Sequence, residues 1–239
     1  MNASDKKIKA KSWQLFDRIA YRYDILNRIL SIGIDVYWRK KIIPHIPIQP
    51  HIKLLDLATG TGDVLFTISK SKLHSFAELL GMDLSENMMS YGREKKKKYC
   101  PELPIRFTNG DATRIPISAD TFDVVTMAFG IRNVANVSDA LREIHRILKP
   151  NGKLIILEFS IPQNKVIQAL YLFYFRYILP KIGGVISGDQ TAYQYLNTSV
   201  EDFPYGKKML NRIIDSGFTN AKCQPLTFGI ASLYIAQKT

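Results

Sequence analysis

Apolar and polar positions in this chain follow two periods, and the switches between them mark out the elements. From 12 to 30 the residues Leu15, Phe16, Ile19, Ala20, Tyr23, Leu26, Ile29 and Leu30 recur at three- and four-residue steps, with Arg18, Arg22 and Arg28 opposite. That spacing predicts an amphipathic helix. Ser31-Ile-Gly33 breaks it, and a second helix is expected from Val36 until Pro44. Short apolar runs come next at Leu54–Leu57, Ala77–Asp83, Ile105–Asp111, Thr121–Ala128 and Lys153–Glu158. Helical stretches separate them: one from about Val64, one after Ser85, and one capped by Ser138 and stopped by Lys149-Pro-Asn-Gly152. Strands alternating with helices predict a parallel sheet with crossover helices. Phe203–Ser216 reads as a helix, and Ala221–Leu226 and Ile230–Ala236 alternate as strands around Thr227-Phe-Gly229. The expectation is an α/β fold: a seven-stranded, mostly parallel sheet with one antiparallel strand and helices on both faces.

Residues 164–182 depart from this pattern. Val166 to Leu179 is apolar nearly all round, rich in Tyr and Phe, and shorter than a bilayer span. A buried helix is the default for such a run. A lid or interfacial helix that grips an apolar substrate and touches membrane is the alternative. With no internal repeat or flexible linker, one domain is expected. It comprises a helical cap (1–50), a core (51–160), a substrate-side insertion (161–205) and a C-terminal helix and hairpin (206–239).

Composition narrows the partners. With 239 residues, 46% of them hydrophobic, the chain can bury one substantial core. Net charge is +12, and the first 53 residues carry eleven Lys/Arg against four Asp (5, 17, 24 and 35). The run Lys95–Lys98 adds a second cluster, which by default is a solvated helix end. Nucleic acid or an anionic bilayer would answer this excess, and so would plain solubility. Two separated cysteines, Cys100 and Cys223, give no disulfide framework and fit a reducing compartment. The polar N-terminus, Met-Asn-Ala-Ser-Asp-Lys-Lys, carries no expected secretory signal. His45, His51, His74 and His145 lack metal-ligand spacing, so no metal is expected.

The candidate chemistry sits at strand ends. Leu54-Leu-Asp-Leu-Ala-Thr-Gly-Thr-Gly-Asp63 is an apolar run, a glycine turn and a helix start. Gly60 and Gly62 allow backbone to approach a ligand that a Cβ would exclude. Asp83 closes the second strand, 20 positions after Asp63, where a carboxylate can accept from both ribose hydroxyls of a nucleoside. Asp111 closes the third and could accept from an adenine amino group. Together they favour a nucleoside site over three unrelated loop carboxylates. Asp63 would repel a pyrophosphate but attract a sulfonium or amino group. Met88 could pack on the nucleoside, although core packing is the commoner use of methionine.

This pattern resembles class I S-adenosylmethionine-dependent methyltransferases, with Asp56 through Asp63 as their first motif. Ala58 stands where many members carry glycine. The resemblance implies S-adenosylmethionine as cofactor, held by Asp56, Gly60, Thr61, Gly62, Asp63, Asp83, Met88, Asp111, Ala112 and Ala128.

A narrower likeness comes from Phe16–Asn27 with Ser31 and Trp38-Arg39, from Phe129-Gly-Ile-Arg-Asn-Val134, from Arg146-Ile-Leu-Lys-Pro150, from Gly188–Ser199 and from Phe203-Pro204. These segments resemble the quinone-biosynthesis C-methyltransferases that act on ubiquinone and menaquinone precursors. Asp35 replaces the usual histidine of that signature, and Leu26 a frequent methionine. The resemblance implies methyl transfer to a prenylated quinol by a cytoplasmic chain, and the aromatic segment 166–179 with the basic first quarter adds an expectation of weak, salt-sensitive association with an anionic membrane surface. No nucleic-acid partner is expected, and a homodimer is allowed.

Two rival functions fit the residues less well. A cytosine-methylating RNA enzyme would need a cysteine in the site, and neither Cys100 nor Cys223 is placed for it. A non-catalytic binding protein could retain the fold while losing the cofactor, and intact Gly60, Gly62, Asp83 and Asp111 argue against that.

For the reaction, a quinol carbon becomes nucleophilic when its hydroxyl ionises, and a phenol pKa near 10 makes a fixed cation useful there. Arg132 with Asn133 comes after the fourth strand and is the candidate for that cation, while Asp24 and Asp35 are weaker candidates for taking the proton. The competing role for Arg132 is an ion pair that holds its loop.

Overall fold

The structure, a computed structural model, describes residues 12–181 and 190–239, apart from the side chains at 16, 19, 21–23, 26, 29, 30 and 190–194. Several parts of the signatures above therefore lie outside the described residues: Lys6, Lys7, Lys9, Lys11, Gly188 and Asp189, and the side chains of Phe16, Tyr23 and Leu26.

Strand β1 (Ile52–Leu57) lies between β2 (Phe76–Asp83) and β4 (Phe122–Ala128), pairing parallel with both. With β3 (Ile105–Asn109), β5 (Leu148–Phe159), β6 (Phe218–Leu226) and β7 (Ala231–Lys238), the order across the sheet is β3-β2-β1-β4-β5-β7-β6. β7 runs antiparallel to both of its neighbours. The chain winds outward to β3 and then crosses back to β4, which opens a crevice outside the carboxyl ends of β1 and β4. In open α/β sheets that is where ligands bind.

Strand alternation divides the core. Leu54, Leu79, Ile105 and Val124 face one side with Leu65 and Ile68 of α3 (Asp63–Ser69) and Trp38 of α2 (Ile34–Lys40). Leu55 and Val125 face the other, with Leu141, Ile144 and Ile147 of α5 (Val137–Ile147) and Ile213 of α8 (Lys207–Asp215). Both faces of β4 are thus covered, as its continuous apolar run requires. The remaining helices are α1 (Trp13–Leu30), α4 (Glu86–Tyr99), α6 (Lys165–Phe173) and α7 (Gln190–Asp202).

Three boundaries differ from expectation. The second helix begins at Ile34 and ends at Lys40, with Pro44 in a subsequent 3-10 turn. β5 begins at Leu148, which pairs with Phe122, and a register shift with Asn151 at φ 65° separates it from the pairing of Lys153 with Val124. The single helix expected over Phe203–Ser216 is preceded by a break, since α7 stops at Asp202 and Gly206 takes φ 60°.

The apolar run 166–179 also differs. α6 continues as a π-helical turn over Tyr174–Ile178, and only one side of it is buried, through Tyr171, Phe175 and Leu179. The other side is exposed. A fully buried helix would need a second packed layer, and among the described residues none covers it.

Candidate active site

The crevice at the sheet's carboxyl edge is walled by strand ends. β1 brings Leu57, Ala58 and Gly60; β2 brings Met82, Asp83 and Leu84; the segment after β3 brings Gly110, Asp111 and Ala112. Met127 and Ala128 end β4, and the next turn adds Phe129, Gly130 and Asn133. Ser12 and Trp13, at the start of α1, close it from above. These last two had no sequence signal.

Asp83 is the centre of the nucleoside half. Its Oδ2 accepts from the Gly60 N–H at 2.8 Å and its Oδ1 from the Ser85 N–H at 2.9 Å, which fixes the carboxylate between two loops. Burial raises its pKa, and the N–H groups of Ser85 and Gly60 oppose that rise. Ser85 caps α4, accepting from the Met88 N–H, and this sets Met88 against the crevice wall. Asp111 lies beyond β3 rather than in it; it is exposed, and its Oδ1 accepts from the Thr113 N–H and hydroxyl. Among the described residues Oδ2 has no hydrogen-bond donor, which leaves it for a ligand. Gly60 has φ 55°, and a Cβ there would meet nothing within 4 Å, so the loop leaves room for a bound group. The residues present therefore suit a nucleoside cofactor.

Ala58 also sits in the left-handed region, at φ 50°. Its Cβ is tolerated because the facing residue is Gly130, where a second Cβ would fall 2.4 Å away.

Four expected contacts face elsewhere. Asp56 is fully buried beneath the loop, accepting from Thr59 and Thr126 hydroxyls, both at 2.7 Å. Burial pushes its pKa up to about 7 against those two hydrogen bonds. It braces the turn and does not border the crevice. The Thr61 hydroxyl donates to Asp24. Gly62, at φ 82°, is needed because a Cβ would come within 2.8 Å of the Phe107 ring. Asp63 points to the opposite side, pairing with Lys95 at 2.6 Å and lying 3.7–3.8 Å from Arg39 and Arg28. Desolvation would raise its pKa, but Lys95, Arg39 and Arg28 outweigh it and hold the carboxyl below its usual range. It cannot attract a sulfonium from there.

The proposed proton acceptors are likewise engaged. Asp24 accepts from Thr61 at 2.6 Å and pairs with Lys95 at 2.8 Å. Asp35 is buried between Arg28 and Arg39. These bonds tie α1 and α2 to the glycine loop. A second tie comes from Asp17, two helical turns before Asp24, which accepts from Ser85 and from the Asn87 side chain. Lys95 is thus a buttress of the loop and not a solvated helix end.

Arg132 also departs from its expected place. Its guanidinium is 2% exposed, donates to Glu158 at 2.8 Å and to the Phe129 carbonyl, and does not border the crevice. Burial on both sides favours this pairing, since the Glu158 side chain, at 0% exposure, would otherwise be an uncompensated charge. Asn133 does border the crevice, and its Oδ1 accepts from the Tyr195 hydroxyl at 3.2 Å. Glu158, Tyr195 and Asp17 carried no recognisable sequence signal.

This sheet order, with the crevice at its switch point, is the fold of the class I S-adenosylmethionine-dependent methyltransferases. A SAM-dependent methyltransferase of Thermotoga maritima superposes with a TM-score of 0.67 at 16% identity, covering 95% of this chain and 100% of the other. The model of the ubiE/COQ5 methyltransferase family matches residues 2–238, and the chain belongs to that family. Among curated relatives, the ubiquinone/menaquinone biosynthesis C-methyltransferase UbiE of Syntrophotalea carbinolica is 45% identical, over 92% of this chain and 91% of its own. The demethylmenaquinone methyltransferase of Bacteroides fragilis is 40% identical, over 99% and 96%. Among the described residues there is no group of side chains that could hold a metal, and no helix long and apolar enough to cross a membrane.

Proposed function

We propose that this chain transfers a methyl group from S-adenosylmethionine to a ring carbon of a prenylated quinol, in menaquinone or ubiquinone biosynthesis. Family membership over residues 2–238 carries this reading. When bound, the cofactor supplies an electrophilic methyl group. Gly60, Asp83, Met88, Asp111, Ala112 and Ala128 would hold it, with Asp83 on the ribose and Asp111 on the base. Asp56, Thr61, Gly62 and Asp63 act behind them, keeping the turn and α3 in place.

On the substrate side, Asn133 reaches the crevice and is assigned the hydrogen bond to the ring hydroxyl. Arg132 is assigned as its positioning residue, because its bonds to Glu158 and the Phe129 carbonyl span the turn that carries Asn133. Asp24 and Asp35 are assigned to the cap, not to proton transfer. The ring partitions into lipid through its tail, so weak, salt-sensitive association with an anionic membrane surface from the cytoplasmic side belongs to the same proposal, supported by the +12 charge.

The test is a methyl-transfer assay with purified protein and labelled cofactor, offering demethylmenaquinol and the benzoquinol precursor side by side. Labelled quinol product is expected from at least one of them. Labelled RNA with neither quinol methylated would refute it. For the turn, Asn133→Ala should raise KM for quinol, and Arg132→Lys should lower kcat, with cofactor affinity retained in both.

A further inference from the structure

Outside the crevice, one side of α6 and its π-helical extension is left uncovered by the described residues. Val166, Leu170, Phe173 and Tyr177 are 70%, 67%, 57% and 60% exposed, at steps of four, three and four residues. They form one stripe along the element, which Ile178 widens. The rings of Phe173 and Tyr177 touch, with centroids 5.5 Å apart, so the stripe already presents a joined apolar surface.

Charge says what covers it. The stretch from Lys165 to Lys181 contains Lys165, Arg176 and Lys181 and no acidic residue. Lys165 and Lys181 are exposed at its two ends, while Arg176 is held by Glu201 at 2.8 Å. A second copy docking the same face about a two-fold axis would bring lysines of like charge together. A surface of anionic headgroups over hydrocarbon meets both features at once: the lysines face phosphates and the stripe enters the interface.

The buried side of the same element leads inward. Tyr171 stacks on Phe175 at 5.1 Å, Phe175 lies 6.3 Å from Phe159, and Phe159 lies 4.6 Å from Phe129 on the crevice wall. The buried side of the element that carries the stripe is therefore joined to the crevice wall by a chain of aromatic contacts.

We infer that the stripe Val166–Leu170–Phe173–Tyr177 is the face that docks on an anionic lipid bilayer, delivering a membrane-dissolved substrate to the crevice from that side. Docking stands on the stripe and its charges, and only the delivery step rests on the quinol reading.

The experiment is flotation of the full chain with vesicles of phosphatidylcholine alone or mixed with phosphatidylglycerol, at low and high salt. The wild type should float with the mixed vesicles and be largely released by salt. The variant L170E/F173E changes two exposed side chains, so its fold should persist, checked by circular dichroism and cofactor affinity. It should lose about tenfold or more of the vesicle binding, as expected when inserted apolar side chains become charged. K165E/K181E should lose chiefly the salt-sensitive part. Transfer to a tail-less quinol in solution should stay at the wild-type level in L170E/F173E, while transfer to a prenylated quinol in vesicles falls. Equal flotation of L170E/F173E and wild type would overturn the inference, as would no wild-type flotation on either vesicle. A wild-type dimer that L170E/F173E splits would assign the face to a second copy instead. Vesicle binding lost in L170E/F173E, with no quinol methylated by the wild type, would support docking while refuting the function.

Discussion

Removing Glu158 should destabilise the protein by about 3–5 kcal/mol, the usual cost of leaving one member of a buried ion pair without its partner. The geometry supports the upper half of that range. Glu158 Oε1 accepts from Arg132 Nη1 and from the Phe159 N–H, both at 2.8 Å, and Oε2 accepts from the Arg132 N–H at 3.3 Å. At 2% and 0% side-chain exposure, water cannot replace these bonds without opening the core. For a chain of this size each kcal/mol moves Tm by about 2–4 °C, so Glu158→Leu should lower Tm by roughly 10 °C. Arg132→Met should cost a comparable amount, but the double variant much less than the sum, because no charge is then stranded. Urea denaturation of the four proteins gives the coupling energy directly. Additive losses, or a cost below about 1 kcal/mol for either single change, would show the pair to be solvated and would return Arg132 to direct contact with substrate.

The crevice and its supports lead to three further expected outcomes. Asp83→Ala should weaken cofactor binding by about 1–3 kcal/mol and Asp111→Ala by less, measured by calorimetry, since only Asp83 is fixed by two loops. Gly60→Ala and Gly62→Ala should separate: each costs about 1–2 kcal/mol for the left-handed backbone. Gly62→Ala adds a clash with Phe107 and loses mainly stability, whereas Gly60→Ala loses mainly cofactor affinity; denaturation and titration curves shifted alike in both would refute this. Asp56, with its pKa raised to about 7 by burial, binds a proton in the native state that the unfolded state releases near pH 4. Its contribution to stability therefore falls as pH rises between about 4 and 7 and is level above that. Asp56→Asn should remove this slope from the stability–pH curve, and parallel curves for the two proteins would contradict the burial argument.

Most of the fold was legible because it depends on local patterning. Runs such as Phe122–Ala128 can only be buried strands, and each strand end fixes where the next residue must lie. Asp83, expected at a strand end, does line the crevice. What failed was side-chain direction after a glycine with positive φ. Gly62 turns the chain so that Asp63 begins α3 facing Lys95, although it is one residue from the loop. The stripe on α6 was ambiguous for a different reason. An all-apolar helix has no polar face to mark its outside, so only the packed structure shows which side is covered.

The carboxylates expected to take the proton failed for a reason that composition itself contains. With 33 basic against 21 acidic residues, an aspartate in the basic first quarter has several cations within reach of its helix. Asp24 finds Lys95, and Asp35 finds Arg28 and Arg39. Both carboxylates are committed to holding the cap, and neither borders the crevice. The two acids that border the crevice, Asp83 and Asp111, both lie on the nucleoside side. Among the described residues the polar groups on the substrate side are neutral: Asn133 and, behind it, the Tyr195 hydroxyl, whose pKa burial raises further. Neutral donors can orient a quinol and share its charge but cannot hold the proton it loses. We expect the proton to pass to solvent: rate should then rise with pH until the quinol itself is ionised, whether or not Asp24 or Asp35 is replaced by asparagine, and a profile shifted by either replacement would refute this.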